Sequence, residues 1–301
     1  MTPADRSAGR AGQPSRKQEG ARGQNRADRL RDTGHRFAAN RPRRQQPDEQ
    51  QRSAAGGTRL TPKGPRRPEP AIAEGVTGRE LDRSVWTQLR TLSKENAEGV
   101  AQHLVMAALL LDSDLDAAQA HAETAVRRAG RVPAAREALG LVAYRKGDWS
   151  KALAEFRTVR RLSGSSHLLP LMVDAERALG RPDRALELAA SQEAATLSRD
   201  EQVELAIVVS GIRRDLGQLD AAAAGLRLPE LDPRKRKPWS SRLFYAYADA
   251  LLALGDRNGA RDWFAHAAAA DEEARTDAAE RLDELDGVSQ VDLLVDTDDD
   301  S

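Results

Sequence analysis

The chain has 301 residues and no cysteine, which excludes disulfides, thiolate metal sites and cysteine nucleophiles. Its formal net charge of zero conceals two ends of opposite sign. Residues 1–70 carry 17 Lys and Arg against 7 Asp and Glu, a net charge of +10, whereas residues 271–301 carry 2 Arg against 13 Asp and Glu, a net charge of −11. The longest apolar run, Leu104 to Leu111, is far shorter than the roughly 20 residues that span a bilayer. Since no apolar secretory signal follows Met1, we expect a cytoplasmic protein without a membrane partner.

Residues 1–75 are rich in Arg, Pro, Gly and Gln, and their large apolar side chains are mainly Leu30, Phe37 and Leu60. A chain of this composition buries too little apolar surface to offset the conformational entropy lost on folding, so it predicts a disordered basic tail. A flexible tail with this charge favours salt-dependent contact with RNA or DNA through residues 1–70. Phe37 is its only aromatic residue, so that contact would be non-specific.

A helical pattern begins near Thr77 and Glu80, which have the spacing of a capping box. From there to Leu285 the apolar residues recur at helical spacing, without strand alternation. The pattern predicts a helical domain over residues 76–286, followed by an acidic tail over residues 287–301.

The clearest structural unit runs from Ala138 to Phe156. It has a Leu-Gly pair in a first helix, a Gly-Asp-Trp turn, and then Ala152 with Phe156 four residues later. Small Gly140 and Ala152 allow two helices to approach closely, and Phe156 fills the space beside them. This arrangement resembles the tetratricopeptide repeat.

The small residue at the Ala152 position recurs at a spacing close to the 34 residues of that repeat. The spacings are 34, 33, 37 and 38 residues, in the order Ala118, Ala152, Ala185, Ala222 and Ala260. The resemblance covers residues 95–274 and implies an all-α, right-handed solenoid of about five helical hairpins. Capping helices are expected near residues 78–92 and 275–286. The whole chain resembles uncharacterised tetratricopeptide proteins of high-GC actinobacteria. Pro229 predicts that the second helix of the fourth hairpin is short and that the junction beyond residue 225 is irregular.

In such arrays the concave face binds partners, through residues of the first helix of each hairpin that the core does not use. Arg and Tyr dominate binding hot spots, although a merely solvated face is an equal alternative. The groove candidates carried over from the repeat register are Tyr144, Arg145, Asp174, Arg177, Arg214, Arg242, Tyr245 and Asp249. Arg234, Lys235, Arg236 and Lys237, here called the basic run, are candidates for polyanion binding, although a solvated loop is the commoner explanation.

No motif indicates catalysis, a cofactor or a metal. Asp112, Asp114 and Asp116 have the spacing of a calcium loop, but Ala117 replaces the required glycine, so a capped helix–helix turn is favoured. The five histidines are scattered without ligand spacing. Ser163 and Ser165 near His167 are typical of an inter-helix turn. The sequence therefore predicts a non-enzymatic scaffold or adaptor that binds a protein or peptide. The alternative is an RNA- or DNA-associated protein that uses the basic tail.

Overall fold

The computed structural model describes residues 68–287. These residues form an all-α fold of twelve α-helices and one short 3₁₀ helix, Gln192–Thr196, and they contain no β-strand. The α-helices are α1 (Arg83–Leu89), α2 (Lys94–Leu109), α3 (Leu115–Ala129), α4 (Pro133–Arg145), α5 (Trp149–Ser163), α6 (Leu169–Ala178), α7 (Pro182–Ala189), α8 (Arg199–Asp215), α9 (Leu219–Gly225), α10 (Ser240–Ala253), α11 (Arg257–Ala270) and α12 (Ala278–Asp286). Residues 1–67 of the predicted basic tail, and the acidic tail from residue 288, lie outside the described residues.

Ten of the helices pack as five consecutive hairpins, which confirms the predicted array. The pairs are α2 with α3, α4 with α5, α6 with α7, α8 with α9, and α10 with α11. The first helix of a hairpin, here called helix A, also packs on helix A of the next hairpin at α2–α4, α6–α8 and α8–α10. Between α4 and α6 the connection is a hydrogen bond from the Tyr144 hydroxyl to Asp174, so the A helices form a layer. At its two ends, α1 packs on α2 and α4, and α12 packs on α11.

The turn of the second hairpin shows why the helices stop and restart where they do. Gly147 has a φ of 74°, a left-handed conformation that glycine adopts without steric cost and that ends α4. The Asp148 carboxylate then accepts a hydrogen bond from the Lys151 amide at 3.2 Å and caps α5. Gly255, with a φ of 86°, and the cap Asp256 repeat this arrangement between α10 and α11.

The core contact predicted within the second hairpin is present. A Cβ atom built on Gly140 would lie only 2.6 Å from Cε1 of Phe156. Phe156 and Ala152 are fully buried, and Phe156 shares a core cluster with Leu168 and Met172 at the start of the third hairpin. Glycine at position 140 is therefore what lets α4 approach α5 while Phe156 fills the space between successive hairpins.

The predicted start of the first helix is wrong. The Thr77 amide does donate to the Glu80 carboxylate at 3.3 Å, as a capping box requires. However, Gly78 has a φ of 83°, which is outside the helical region, so residues 77–80 form a turn. Helix α1 begins five residues later than expected, at Arg83, where Asp82 accepts from the Ser84 amide at 2.7 Å.

The fourth hairpin is irregular, as Pro229 predicts. Helix α9 ends at Gly225, and a loop without helix continues to Trp239. The indole of Trp239 donates to Asp200 at 2.8 Å, which anchors the end of this loop to α8. Within residues 68–287, no helix is both long enough and apolar enough to cross a membrane.

Candidate functional site

A groove opens on the layer of A helices, between the second and fifth hairpins. It encloses about 410 Å³. Its walls come from α4, α6, α8 and α10, together with the turn that precedes α6. The lining residues are Tyr144, His167, Pro170, Leu171, Asp174, Arg177, Glu201, Glu204, Ile207, Val208 and Arg242. Four of the eight residues predicted for a concave binding face, Tyr144, Asp174, Arg177 and Arg242, therefore line one cavity, here called the inner groove.

The floor of the inner groove is apolar. Pro170 and Leu171 come from the first turn of α6, and Ile207 and Val208 come from the middle of α8. Leu171, Ile207 and Val208 are only half-buried, so they offer apolar surface to the cavity. Ile207 and Val208 were not among the predicted site residues, because the repeat register does not distinguish core positions from the edge of a groove.

Tyr144 forms one wall and is held from two sides. Its hydroxyl donates a hydrogen bond to Oδ2 of Asp174 on α6, and its ring packs edge to face on Trp149 with 5.1 Å between the ring centroids. Burial raises the pKa of the Tyr144 phenol well above its usual range, and the Asp174 carboxylate adds to this effect. Tyr144 is therefore a neutral, fixed hydrogen-bond donor at physiological pH.

Arg177 bridges the third and fourth hairpins. Its Nε and Nη2 atoms donate to the two carboxylate oxygens of Asp215 at 2.6 and 3.2 Å, and its Nη1 atom lies 3.6 Å from Asp174. The hydrogen bonds to Asp215 raise the pKa of the guanidinium. Because Arg177 shares its single positive charge between two carboxylates, it does not present a free cation to the groove.

Glu204 and Arg242 form the wall on the far side. The guanidinium of Arg242 on α10 donates to Oε1 of Glu204 on α8. Burial nevertheless raises the pKa of Glu204 from its usual value, with a further increase from the neighbouring carboxylate of Asp200. Desolvation thus outweighs the stabilisation that Arg242 gives to the Glu204 carboxylate.

Glu201 lies one helical turn before Glu204. Its carboxylate accepts from the Ser198 amide at 2.7 Å and completes a capping box that starts α8. Among residues 68–287, no lysine or arginine lies within ion-pair distance of Glu201. Its negative charge is therefore open to the groove.

His167 is a groove residue that the sequence analysis missed. Its Nε2 atom lies 3.2 Å from Glu137 on α4, and its Nδ1 atom lies 2.9 Å from the Ser165 hydroxyl. The hydrogen bond to Glu137 raises the pKa of His167, and the charge of Glu201 contributes in the same direction. Gly164, with a φ of 72°, ends α5 just before Ser165, which agrees with the predicted inter-helix turn.

The other four predicted groove residues lie outside this cavity. Arg145 pairs with Asp112 at 2.5 Å, between the first two hairpins. Arg214 pairs with Asp249 across α8 and α10. The Tyr245 hydroxyl accepts from Arg281 of α12 at 3.3 Å, and burial raises the pKa of this phenol to about 12. These residues connect neighbouring elements of the array.

The basic run is exposed, but acidic side chains lie close to it. Arg234 forms two hydrogen bonds of 2.9 Å to Asp232. Lys235 donates to the Pro229 carbonyl at 3.1 Å. Arg236 and Lys237 line a second cavity of about 320 Å³ that is also lined by Asp271, Glu272 and Glu273. The basic run therefore offers a polyanion less free positive charge than its sequence indicates.

The structure also joins two histidines that look unrelated in sequence. Nδ1 of His103 on α2 lies 2.9 Å from Nδ1 of His121 on α3, and both side chains are buried. His103 lies 3.8 Å from Glu69, whose carboxylate receives two hydrogen bonds from Arg128 at 3.0 and 2.5 Å. Among the described residues, no group of three or more His, Asp or Glu side chains is placed to hold a metal ion. Asp114 caps α3 as the predicted helix–helix turn requires.

Solved structures with a similar fold include the following two. The first is described as a functional characterisation of Pseudomonas aeruginosa pilF, with a TM-score of 0.45 and 15% identity over 65% of this chain and 87% of that one. The second is YrrB, described as a tetratricopeptide protein with an unusual peptide-binding site, with a TM-score of 0.40 and 20% identity over 64% of this chain and 96% of that one. No protein-family model and no curated protein matches the chain. Because both TM-scores are below 0.5, the fold assignment rests on the helices and hairpins themselves.

Proposed function

We propose that the protein is a non-enzymatic scaffold or adaptor that binds a peptide segment of a partner protein in the inner groove. The observation that supports this most directly is the half-buried apolar floor of Leu171, Ile207 and Val208 inside a cavity of about 410 Å³. Binding sites are concave and mostly apolar, with a few fixed polar groups that orient the ligand. The proposal retains the cytoplasmic location inferred from sequence.

The polar walls of the groove are held in place before any ligand arrives. Tyr144 is fixed by Asp174, Arg177 by Asp215, and Arg242 by Glu204. A ligand that binds fixed side chains loses less affinity to side-chain ordering than one that binds mobile side chains. The same contacts connect consecutive hairpins, so the groove keeps its shape as long as the array is folded.

A random peptide library displayed on phage and selected against the full-length protein tests this function. We expect selected peptides to bind with a Kd that rises by about tenfold or more in Leu171→Ser, because a buried aliphatic contact is lost. Leu109→Ser is the matched control, since Leu109 is 64% exposed on α2 and lies away from the groove.

Thermal melting of both variants shows whether the array remains folded. Selected peptides that bind Leu171→Ser and Leu109→Ser equally well would contradict the proposed site. A selection that yields no binding peptide would contradict the function itself.

A further inference from the structure

We propose that the inner groove prefers peptides in which an arginine or lysine stands next to an aliphatic residue. This inference rests on the proposed function and adds the chemistry of the ligand. It follows from two features of the same cavity, the sign of its charge and the position of that charge beside the apolar floor.

Carboxylates outnumber guanidinium groups around the groove. Five carboxylates line it or pair directly with its lining, and they belong to Glu137, Asp174, Glu201, Glu204 and Asp215. The cationic groups are Arg177 and Arg242. Five negative charges against two positive charges leave a net charge of −3 with His167 neutral, or −2 with His167 protonated. A cleft with an excess of negative charge attracts cationic ligands.

Two of these carboxylates are the ones that a cation would stabilise most. Glu201 has no lysine or arginine partner among the described residues, and its carboxylate accepts a hydrogen bond from the Ser198 amide. Glu204 has a cationic partner in Arg242, yet burial and Asp200 still raise its pKa. A second positive charge near Glu201 and Glu204 would therefore meet one carboxylate without a lysine or arginine partner and one whose arginine partner does not offset its burial.

The apolar floor lies on the same helix face as these two carboxylates. Glu204 and Ile207 are three residues apart on α8, and Glu204 and Val208 are four apart, so their side chains are neighbours. A ligand with an aliphatic side chain on Ile207 and Val208 would thus place an adjacent basic side chain beside Glu201 and Glu204. An acidic peptide lacks the positive charge for the two carboxylates, and a purely basic peptide lacks the aliphatic side chain for the floor.

Fluorescence anisotropy with three labelled peptides of equal length tests this preference. The peptides are acetylated and amidated, and they alternate leucine with arginine, with glutamine or with glutamate. A fourth peptide alternates glycine with arginine. We expect the leucine–arginine peptide to bind most tightly, and the advantage over leucine–glutamine to shrink at high salt, since screening weakens exposed charge pairs.

Glu201→Gln is the decisive variant because glutamine preserves a capping box while it removes the charge. We expect this variant to bind the leucine–arginine peptide about three- to tenfold more weakly and the leucine–glutamine peptide unchanged. Glu98→Gln is the matched control, since Glu98 is an exposed carboxylate on α2 outside the groove.

The results separate this inference from the proposed function. Equal binding of the leucine–arginine and leucine–glutamine peptides, or equal effects of Glu201→Gln and Glu98→Gln, would overturn the charge preference and leave the groove as a binding site. Equal binding of the glycine–arginine and leucine–arginine peptides would overturn the role of the floor. If no peptide of any charge binds, both the inference and the proposed function are wrong.

Discussion

Gly211 on α8 lies directly against the guanidinium of Arg177 on α6. A Cβ atom built on Gly211 would be 2.5 Å from Nη1 and 2.9 Å from Cζ of that arginine. The missing side chain at position 211 is therefore what allows Arg177 to cross α8 and reach Asp215. This contact joins the third and fourth hairpins at the edge of the inner groove.

Gly211→Ala should displace Arg177 from Asp215. In the wild-type background we expect little or no gain in stability, because the loss of an ion pair of up to about 1 kcal/mol offsets the higher helix propensity of alanine. In an Arg177→Ala background the clash is absent, so Gly211→Ala should stabilise the array by about 0.5–1 kcal/mol. Chemical denaturation of the four proteins measures this difference. Equal effects of Gly211→Ala in both backgrounds would show that the two residues are not coupled.

The contact between Gly140 and Phe156 gives a second prediction, about the core. Gly140→Ala places a methyl group 2.6 Å from a fully buried aromatic ring. Overpacking of this kind costs about 1–3 kcal/mol, which exceeds the gain of up to about 1 kcal/mol in helix propensity. We therefore expect a lower melting temperature.

Gly225→Ala is the control for that experiment, since a Cβ atom on Gly225 would meet nothing within 4 Å. Phe156→Leu should reduce the cost of Gly140→Ala, because the smaller side chain vacates the space that the methyl group needs. A melting temperature that rises equally in Gly140→Ala and Gly225→Ala would contradict the close approach of α4 and α5.

The contact between Gly211 and Arg177 could not be predicted from sequence, whereas the contact between Gly140 and Phe156 could. Gly140 and Phe156 belong to one hairpin and to the best-preserved repeat, so the register alone places them together. Gly211 and Arg177 come from different hairpins, and their contact depends on how far α8 is rotated against α6.

The same distinction explains the histidines and the groove. His103 and His121 are 18 residues apart in sequence. Only the antiparallel packing of α2 and α3 brings their rings together, so spacing along the chain shows no pair. The register places Tyr144, Asp174, Arg177 and Arg242 on A helices, and in the structure these four residues line one cavity. It missed His167 because the turn before α6 lies outside the repeat pattern.

The buried histidine pair predicts that the array loses stability in mild acid. Desolvation lowers the pKa of His103 to about 4, with a contribution from His121, and desolvation also lowers the pKa of His121. Glu69 opposes the shift of His103, and Arg128 adds to it. A histidine with a lowered pKa in the folded state binds fewer protons than it does in the unfolded state. Its contribution to stability is therefore complete above the unfolded pKa of about 6.5 and decreases as the pH falls toward 4.

For His103 alone, that linkage predicts a loss of about 2 kcal/mol in the free energy of unfolding between pH 7 and pH 5. Denaturation at the two pH values should show a smaller loss in His103→Gln than in the wild type. His266→Gln, on α11, is the control and should behave like the wild type. The same pH dependence in wild type and His103→Gln would show that the buried pair is not responsible.

The last prediction concerns His167 and the binding of basic peptides. The hydrogen bond to Glu137 raises the pKa of His167, so the imidazole becomes protonated at a higher pH than an ordinary histidine. Protonation changes the charge around the inner groove from −3 to −2. A leucine–arginine peptide should therefore bind more weakly as the pH falls from about 8 to about 6, because each protonated imidazole adds a positive charge beside Glu201. Arginine keeps its charge throughout this range, so the peptide itself does not titrate.

His167→Gln should remove most of this pH dependence, whereas His266→Gln should retain it. If affinity stays constant between these pH values in the wild type, or changes equally in His167→Gln, then His167 does not contribute to the charge that the ligand meets.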